Sequence, residues 1–378
     1  MKIGIITQPL AINYGGLLQN YALQKVLVSL GHEVYTINRS DAPDIYTASY
    51  YKKIRFFINQ SIKRILNKPS YLLYKEYIRI RQACISFVQR NITVTDIFKT
   101  QEDIYDIINK YDFNGYVVGS DQVWRPCYSL SIYNDFLDFC QDKTNIKRIA
   151  YAASFGVNQW EFNEEQTTIC RRLLNMFDAV SVRESSGVEL CEKYFGITAM
   201  HVLDPTLLLE KEDYIKLVEQ EKENISSGNL FCYILDNKKS IDNAISDIEH
   251  KMLLKAFQVK ADKSNYEYKK GENIKDYIIP SPTKWLRAFM DAKMVFTDSF
   301  HGCVFSIIFN KPFWVIGNRK RGNARFESLL KIFNIEDRCI TLDEIDHVDL
   351  NARIDWNRVN SIRMEWKKKS IDFLKENL

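Results

Sequence analysis

Chemistry concentrates in residues 294–315, MVFTDSFHGCVFSIIFNKPFWV, where two apolar runs (294–296 and 303–309) flank the polar turn Thr297-Asp298-Ser299-Phe300-His301-Gly302. The pattern predicts a strand over 294–297, the turn, then an apolar helix. A helix start presents unpaired backbone N–H groups and the positive end of the helix dipole, which favour an anion. His301 beside it can take or give a proton near neutral pH. The combination suits chemistry on a small phosphorylated or carboxylated substrate. The structural alternative is that His301 caps the helix and packs the turn.

The elements that must position this turn read as two α/β units. A buried strand over 3–7 leads through Asn13-Tyr14-Gly15-Gly16 to a helix over 17–30, Gly31 as its C-cap and a strand over 33–38, the opening βαβ of a doubly wound domain. The glycine pattern does not match GxGxxG, so a nicotinamide site is not indicated. Residues 41–95 break the alternation with two basic, aromatic-rich helices, 52–66 and 72–88. Strands follow over 115–118, ending in Gly119-Ser120-Asp121-Gln122-Val123-Trp124, over 148–153, ending in Ser154, and over 179–182, ending in Arg183-Glu184. A helix over 185–195 and a strand over 198–202 lead into Leu203-Asp204-Pro205-Thr206. A second unit continues with a strand over 230–235, helices over 241–257 and 283–291, a strand over 312–316 and a basic loop over 318–326. A closing helix over 355–378 carries Trp356, Val359, Ile362, Trp366, Phe373 and Leu374 on one face. Polar residues and glycines collect at the strand ends of both units, where open α/β sheets bind ligands, so one cleft between two domains is expected. The expected domains are 1–203, with the basic helical insertion 50–90, and 204–350, followed by the C-terminal helix 351–378.

Bulk composition narrows the classes. The 378 residues are 46% hydrophobic and 26% charged, with a net charge of +4. That is globular, and too weakly basic to make nucleic acid the main partner. Eight cysteines (84, 127, 140, 170, 191, 232, 303, 339) stand singly, without CxxC, so neither a zinc cluster nor a dithiol site is expected, and free thiols in a reducing cytoplasm are. No signal peptide and no transmembrane helix are expected. Charge is uneven: from Lys52 to Arg90 there are ten Lys or Arg and one acid, Glu76. That segment fits either a helix on an anionic membrane surface, at the inner face of the cytoplasmic membrane, or a helical pair with a solvated basic face.

Taken as a set, the motifs resemble the polysaccharide pyruvyltransferase family: Asn13-Tyr14-Gly15-Gly16 with Gln19, Val117 through Trp124, Ala152 through Gly156, Ser181 through Glu184, Val202 through Thr206, Thr297 through Gly302, and Arg325-Phe326 with Leu329-Leu330. The resemblance implies a two-domain enzyme of the glycosyltransferase B type, with two Rossmann-like domains facing a cleft, the acceptor side on 1–203, the donor side on 204–350, and the last helix folding back toward the first domain. It implies transfer of enolpyruvate from phosphoenolpyruvate to two hydroxyls of a sugar in a bacterial surface polysaccharide or its lipid-linked precursor. Phosphate is released, and no metal or nucleotide cofactor is needed. A nucleotide-sugar-dependent glycosyltransferase of the same fold is the rival enzyme, and a non-catalytic glycan-binding protein the rival outside enzymes.

Tested against that chemistry, the residues divide as follows. His301 is the candidate for proton transfer or for activating the phosphate as leaving group, Asp121 for the base or for orienting an acceptor hydroxyl, and Arg183 for a catalytic cation. Ser299, Gly302, Arg183, Arg325, Arg319 and Arg321 are candidates for the anionic donor, because guanidinium groups bind phosphate and carboxylate bidentately. Asn13, Tyr14, Gly15, Gly16, Gln122, Trp124 and Ser154 are candidates for the acceptor side. Each has a structural alternative: Asp121 a turn cap, Arg183 an ion pair with Glu184 or Glu189, Asn13–Gly16 a tight turn, Trp124 a core residue, Arg319 and Arg321 a solvated loop. Some family members carry Arg-x-His-Gly where this chain has Ser299-Phe300-His301-Gly302, so one donor cation must come from elsewhere.

Overall fold

A computed structural model of the chain describes residues 1–40, 50–66, 68, 70, 74–129, 131–236, 239–263, 268–269, 271–317 and 324–378. The strands are β1 (Lys2–Ile6), β2 (Glu33–Arg39), β3 (Val94–Phe98), β4 (Gly115–Val118), β5 (Lys147–Ala153), β6 (Ala179–Val182), β7 (Met200–His201), β8 (Leu230–Tyr233), β9 (Ala256–Phe257), β10 (Met294–Thr297), β11 (Phe313–Ile316) and β12 (Cys339–Ile340). The α-helices are α1 (Tyr14–Ser29), α2 (Tyr50–Ile65), α3 (Tyr74–Asn91), α4 (Gln101–Tyr111), α5 (Glu164–Leu174), α6 (Ser185–Leu190), α7 (Lys211–Gln220), α8 (Lys239–Met252), α9 (Pro282–Asp291), α10 (Phe300–Ile308), α11 (Ala324–Phe333) and α12 (Trp356–Asn377).

Two parallel sheets result. The first has seven strands in the order β3-β2-β1-β4-β5-β6-β7, the second five in the order β12-β11-β10-β8-β9. Alternate residues of each strand feed cores on opposite sheet faces, as the period of two requires. Val117, Phe231, Val295 and Val315 belong to one apolar cluster that also takes Leu17 and Leu23 of α1, Trp285 of α9 and Phe305 of α10. Tyr116 and Val118 face a second cluster on the far side of the first sheet. Cys232, Phe296 and Trp314 face a third, beyond the second sheet. The first cluster is continuous between the sheets, so burial of apolar surface ties the two units together. Tyr14 reinforces the junction: its hydroxyl donates to the Pro280 carbonyl at 3.0 Å and its ring lies 5.6 Å from Trp285.

α12 clamps the segment that joins the sheets. Arg363 donates to the carbonyls of Leu207 and Leu209, the Ser370 hydroxyl accepts the Leu203 amide at 3.0 Å, and Trp366 meets His201 edge-on. Six of the eight cysteines are buried and all eight are free. Among the described residues no helix is long and apolar enough to cross a membrane.

Several elements depart from the sequence reading. The helix expected over 241–257 ends at Met252, because Leu253 adopts φ 51° and turns the chain into the short strand β9. The helix expected over 185–195 is α-helical only to Leu190 and widens into a π turn over Cys191–Phe195. The helix expected from 303 begins at Phe300, which puts His301 in its first turn. The basic loop expected over 318–326 is helical from Ala324, so Arg325 stands on the first turn of α11. β3, α4, α5 and α7 have no counterpart in the sequence reading; α4 and α5 are short amphipathic helices begun by capping boxes at Thr100 and Asn163.

Candidate active site

The carboxyl ends of β1, β4 and β10 and the start of α11 meet at a cleft of about 660 Å³ lined by Gln8, Asn13, Asp121, Gln122, Tyr128, Tyr233, Asp298, Ser299, Phe300, His301 and Arg325 together with flanking apolar residues. Its centre is His301. The Nε2 of His301 lies 3.5 Å from Asp204 Oδ2. Asp204, buried where the first sheet hands over to the second, also takes Arg183 Nη1 at 2.8 Å, the Thr206 amide at 3.0 Å and hydroxyl at 2.6 Å, and the Ser120 hydroxyl at 3.3 Å. Burial alone would push the Asp204 pKa up. The hydrogen bond and charge of His301, then Arg183 and Thr206, outweigh that and hold it well below the usual carboxylate range. The imidazole of His301 therefore has a fixed carboxylate beside it, which orients the ring.

The other face of the ring explains a glycine. A Cβ built on Gly15 would lie 2.0 Å from His301 Nδ1, so only glycine lets the start of α1 sit against the imidazole. Asn13 caps α1 by accepting the Gly16 amide at 3.2 Å, and its Nδ2 lies 3.4 Å from Asp121 Oδ2. Gln19 fastens α1 to the β4 loop, accepting the Ser120 amide at 3.0 Å and donating to Thr7 Oγ1 at 2.9 Å. Asp121, with φ 65°, turns its carboxylate into the cleft, where Arg183 Nη2 approaches to 3.7 Å.

Arg183 itself does not line the cleft. It is 3% exposed and serves three carboxylates, Asp204, Glu184 at 3.4 Å and Asp121, with Phe300 stacked 4.4 Å from its guanidinium. Burial opposes its charge, but Glu184, Asp204 and Asp121 more than offset this and raise its pKa. Its position makes it a positioning residue beneath Phe300 and His301. Among the described residues, the cation that lines the cleft is Arg325. It is half-buried, and its Nε has no hydrogen-bond partner among the described residues. Burial first, and the neighbouring Arg183 second, push its pKa down to about 10. A guanidinium held with so little compensation is suited to receive an anion.

The remaining candidates separate. Ser299 lines the cleft, although its amide donates to Thr297 Oγ1 rather than standing free. Gly302 is required by packing: a Cβ there would meet Thr297 Oγ1 at 2.2 Å, so glycine lets α10 start against the end of β10. Trp124, expected as an acceptor residue, is fully buried, stacked on Phe136 at 5.1 Å with its indole N–H donated to the Asp135 carbonyl. Ser154 is also fully buried; it accepts the Gly156 amide and donates to Glu184. Gln122 reaches the cleft, its Oε1 accepting from Arg125 Nη1 at 3.2 Å. Tyr14 lines a neighbouring cavity of about 380 Å³ that shares Ile12, Tyr233 and Leu235 with the cleft. Arg319 and Arg321 lie outside the described residues. Sequence reasoning gave no site role to Asp204, Tyr128, Tyr233 or Asp298. Asp298 accepts the amides of Leu235 and Asp236 at 2.7 and 2.9 Å and fixes the loop after β8. Asp204 stood among the strand-end polar residues and in the motif Val202-Leu203-Asp204-Pro205-Thr206, but neither named its partner His301.

Two parallel sheets facing a cleft, closed by a long C-terminal helix, define the glycosyltransferase B type of fold. A UDP-GlcNAc 2-epimerase from Methanocaldococcus jannaschii superposes with a TM-score of 0.51 at 11% identity, over 97% of this chain and 99% of its own. A UDP-GlcNAc 2-epimerase from Neisseria meningitidis gives a TM-score of 0.50 at 10% identity, over 100% of both chains. At such identities the likeness is one of fold alone. No curated protein matches the sequence. The chain belongs to the polysaccharide pyruvyl transferase family, whose model matches residues 13–320, a span that takes in every cleft residue from Asn13 to His301.

Proposed function

We propose that the protein uses phosphoenolpyruvate to place a pyruvate ketal on a sugar of a bacterial surface polysaccharide or its lipid-linked precursor. Family membership supports polysaccharide pyruvylation in general. The observation that carries the finer reading is the buried Asp204–His301 pair opening on a cleft whose cation, Arg325, lacks a full set of partners.

The chemistry needs one proton delivered to carbon and two removed from oxygen. His301 gives a proton to the donor's methylene carbon, and C2 becomes oxocarbenium-like. A first sugar hydroxyl adds to C2, with Asp121 taking its proton. Phosphate leaves with C–O cleavage, its charge met by Arg325 and the opening amides of α10. A second hydroxyl closes the ketal. One of the two hydroxyl protons replaces the one now in the methyl group, and the other leaves on phosphate. Arg183 and Gly15 do no chemistry in this scheme; they hold Asp204, Asp121 and the imidazole in place. Tyr128 and Tyr233, rather than Trp124, offer aromatic faces to a sugar ring.

Phosphate release from phosphoenolpyruvate in the presence of lipid-linked and free glycans tests the reading, with His301→Ala as the inactive control. Thermal stabilisation by phosphoenolpyruvate and none by UDP-sugars is the expected pattern. Stabilisation by a nucleotide sugar with none by phosphoenolpyruvate would overturn it in favour of glycosyl transfer.

A further inference from the structure

Helix α2 (Tyr50–Ile65) leaves a row of aliphatic side chains in solvent. Ile54 is 38% exposed, Ile58 55%, Ile62 49% and Ile65 73%, and Leu66 continues the row at 58%. Spacings of four, four and three residues place these positions on one face of the helix. The face opposite holds Gln60, 2% exposed, with the half-buried Phe56 and Phe57. α2 therefore packs through one side and presents an apolar stripe on the other. A stripe of large aliphatics left in water marks an interaction surface.

Charge identifies what it meets. Residues 45–75 contain seven Lys or Arg and no Asp or Glu. An apolar stripe in so basic a segment has the composition of a helix that lies in a lipid interface, its aliphatic residues at the acyl boundary and its cations among anionic headgroups. A second copy of the chain fits poorly, because a two-fold contact through this face would bring two such uncompensated positive segments together. We propose that α2 docks the protein on an anionic membrane surface. The docking is independent of the reaction assigned to the cleft.

The experiment is co-sedimentation of the full chain with vesicles of phosphatidylcholine alone and of phosphatidylcholine mixed with phosphatidylglycerol, at low and high salt, without donor or acceptor. Binding is expected to the mixed vesicles only, and to weaken as salt rises. The double variant Ile58→Asp/Ile62→Asp should lower partitioning roughly tenfold or more. Ile58→Ala/Ile62→Ala, a milder change at the same exposed positions, carries the test if the first variant fails to fold, and Lys63→Glu should weaken binding chiefly at low salt. Equal binding to both vesicle types, or unchanged binding by the aliphatic variants, overturns the proposal. So does a wild-type dimer in light scattering that the aliphatic variants dissociate and that binds no vesicles, since that result assigns the stripe to a second copy.

Discussion

Gly15→Ala separates catalysis from folding. The new Cβ would stand 2.0 Å from His301 Nδ1, 2.3 Å from Cγ and 2.7 Å from Cε1, whereas ordinary contacts begin at 3.4 Å. The methyl belongs to the first turn of α1, which Asn13 caps and Gln19 ties to β4, so the imidazole must yield by somewhat more than 1 Å. That movement breaks the 3.5 Å approach of Nε2 to Asp204. A displacement of about 1 Å at a reacting group costs on the order of a hundredfold in rate. Stability should move little, because replacing a helical glycine by alanine favours the helix by up to about 1 kcal/mol and offsets part of the clash. Gly16→Ala is the matched control: its Cβ would lie 3.3–3.4 Å from Asn13 and Asp121, a contact that a slight shift relieves. The assay is phosphate release from phosphoenolpyruvate with an accepted glycan, alongside thermal melting. A folded Gly15→Ala protein within threefold of wild-type kcat would refute the placement of His301 as the proton carrier.

Two more perturbations probe the charges. Burial and the neighbouring Arg183 hold the Arg325 pKa down to about 10, well below that of a free guanidinium, so the fold carries its charge at a cost. A cation whose folded pKa is depressed weakens the fold at neutral pH, and that cost lifts only as pH rises through about 10. Arg325→Met should therefore melt no lower than wild type at pH 7 while losing the stabilisation by phosphoenolpyruvate; a destabilised variant that still binds the donor would contradict this. Asp204→Asn takes the nearest carboxylate from Arg183, which keeps Glu184 and Asp121, and the facing one from His301; it should cost about 1–3 kcal/mol in denaturant unfolding, with activity lost. Because the folded pKa of Asp204 is depressed, its contribution is complete above the unfolded value near 4 and fades as pH falls below it. Acid unfolding of Asp204→Asn should accordingly show a flatter limb below pH ~4 than wild type, and an unchanged limb would count against the pairing.

The sequence by itself determined the class of fold and singled out the turn that lines the candidate cleft. Short apolar runs ending in polar turns read as parallel strands because strands covered on both faces must be apolar throughout, as Val117 and Tyr116 are toward different cores. The turn at 297–302 read as a helix start because a strand-length apolar run and a helix-length one flank it. What each side chain faces was not legible, since it depends on which strand ends the tertiary structure superposes. Asp204 and His301 are far apart in the chain and meet only because the turn after β7 packs against α10. Gly15 is required by the ring of His301, a partner that no local pattern names. Trp124 and Ser154 stand in polar turns, as ligand-binding residues do, yet the chain folds both inward, to Phe136 and Glu184. Arg183 was expected to bind the donor and instead neutralises three buried carboxylates. Arg325 emerged as the open cation only when α11 carried it beneath Phe300 and its share of opposite charge had been taken by Arg183.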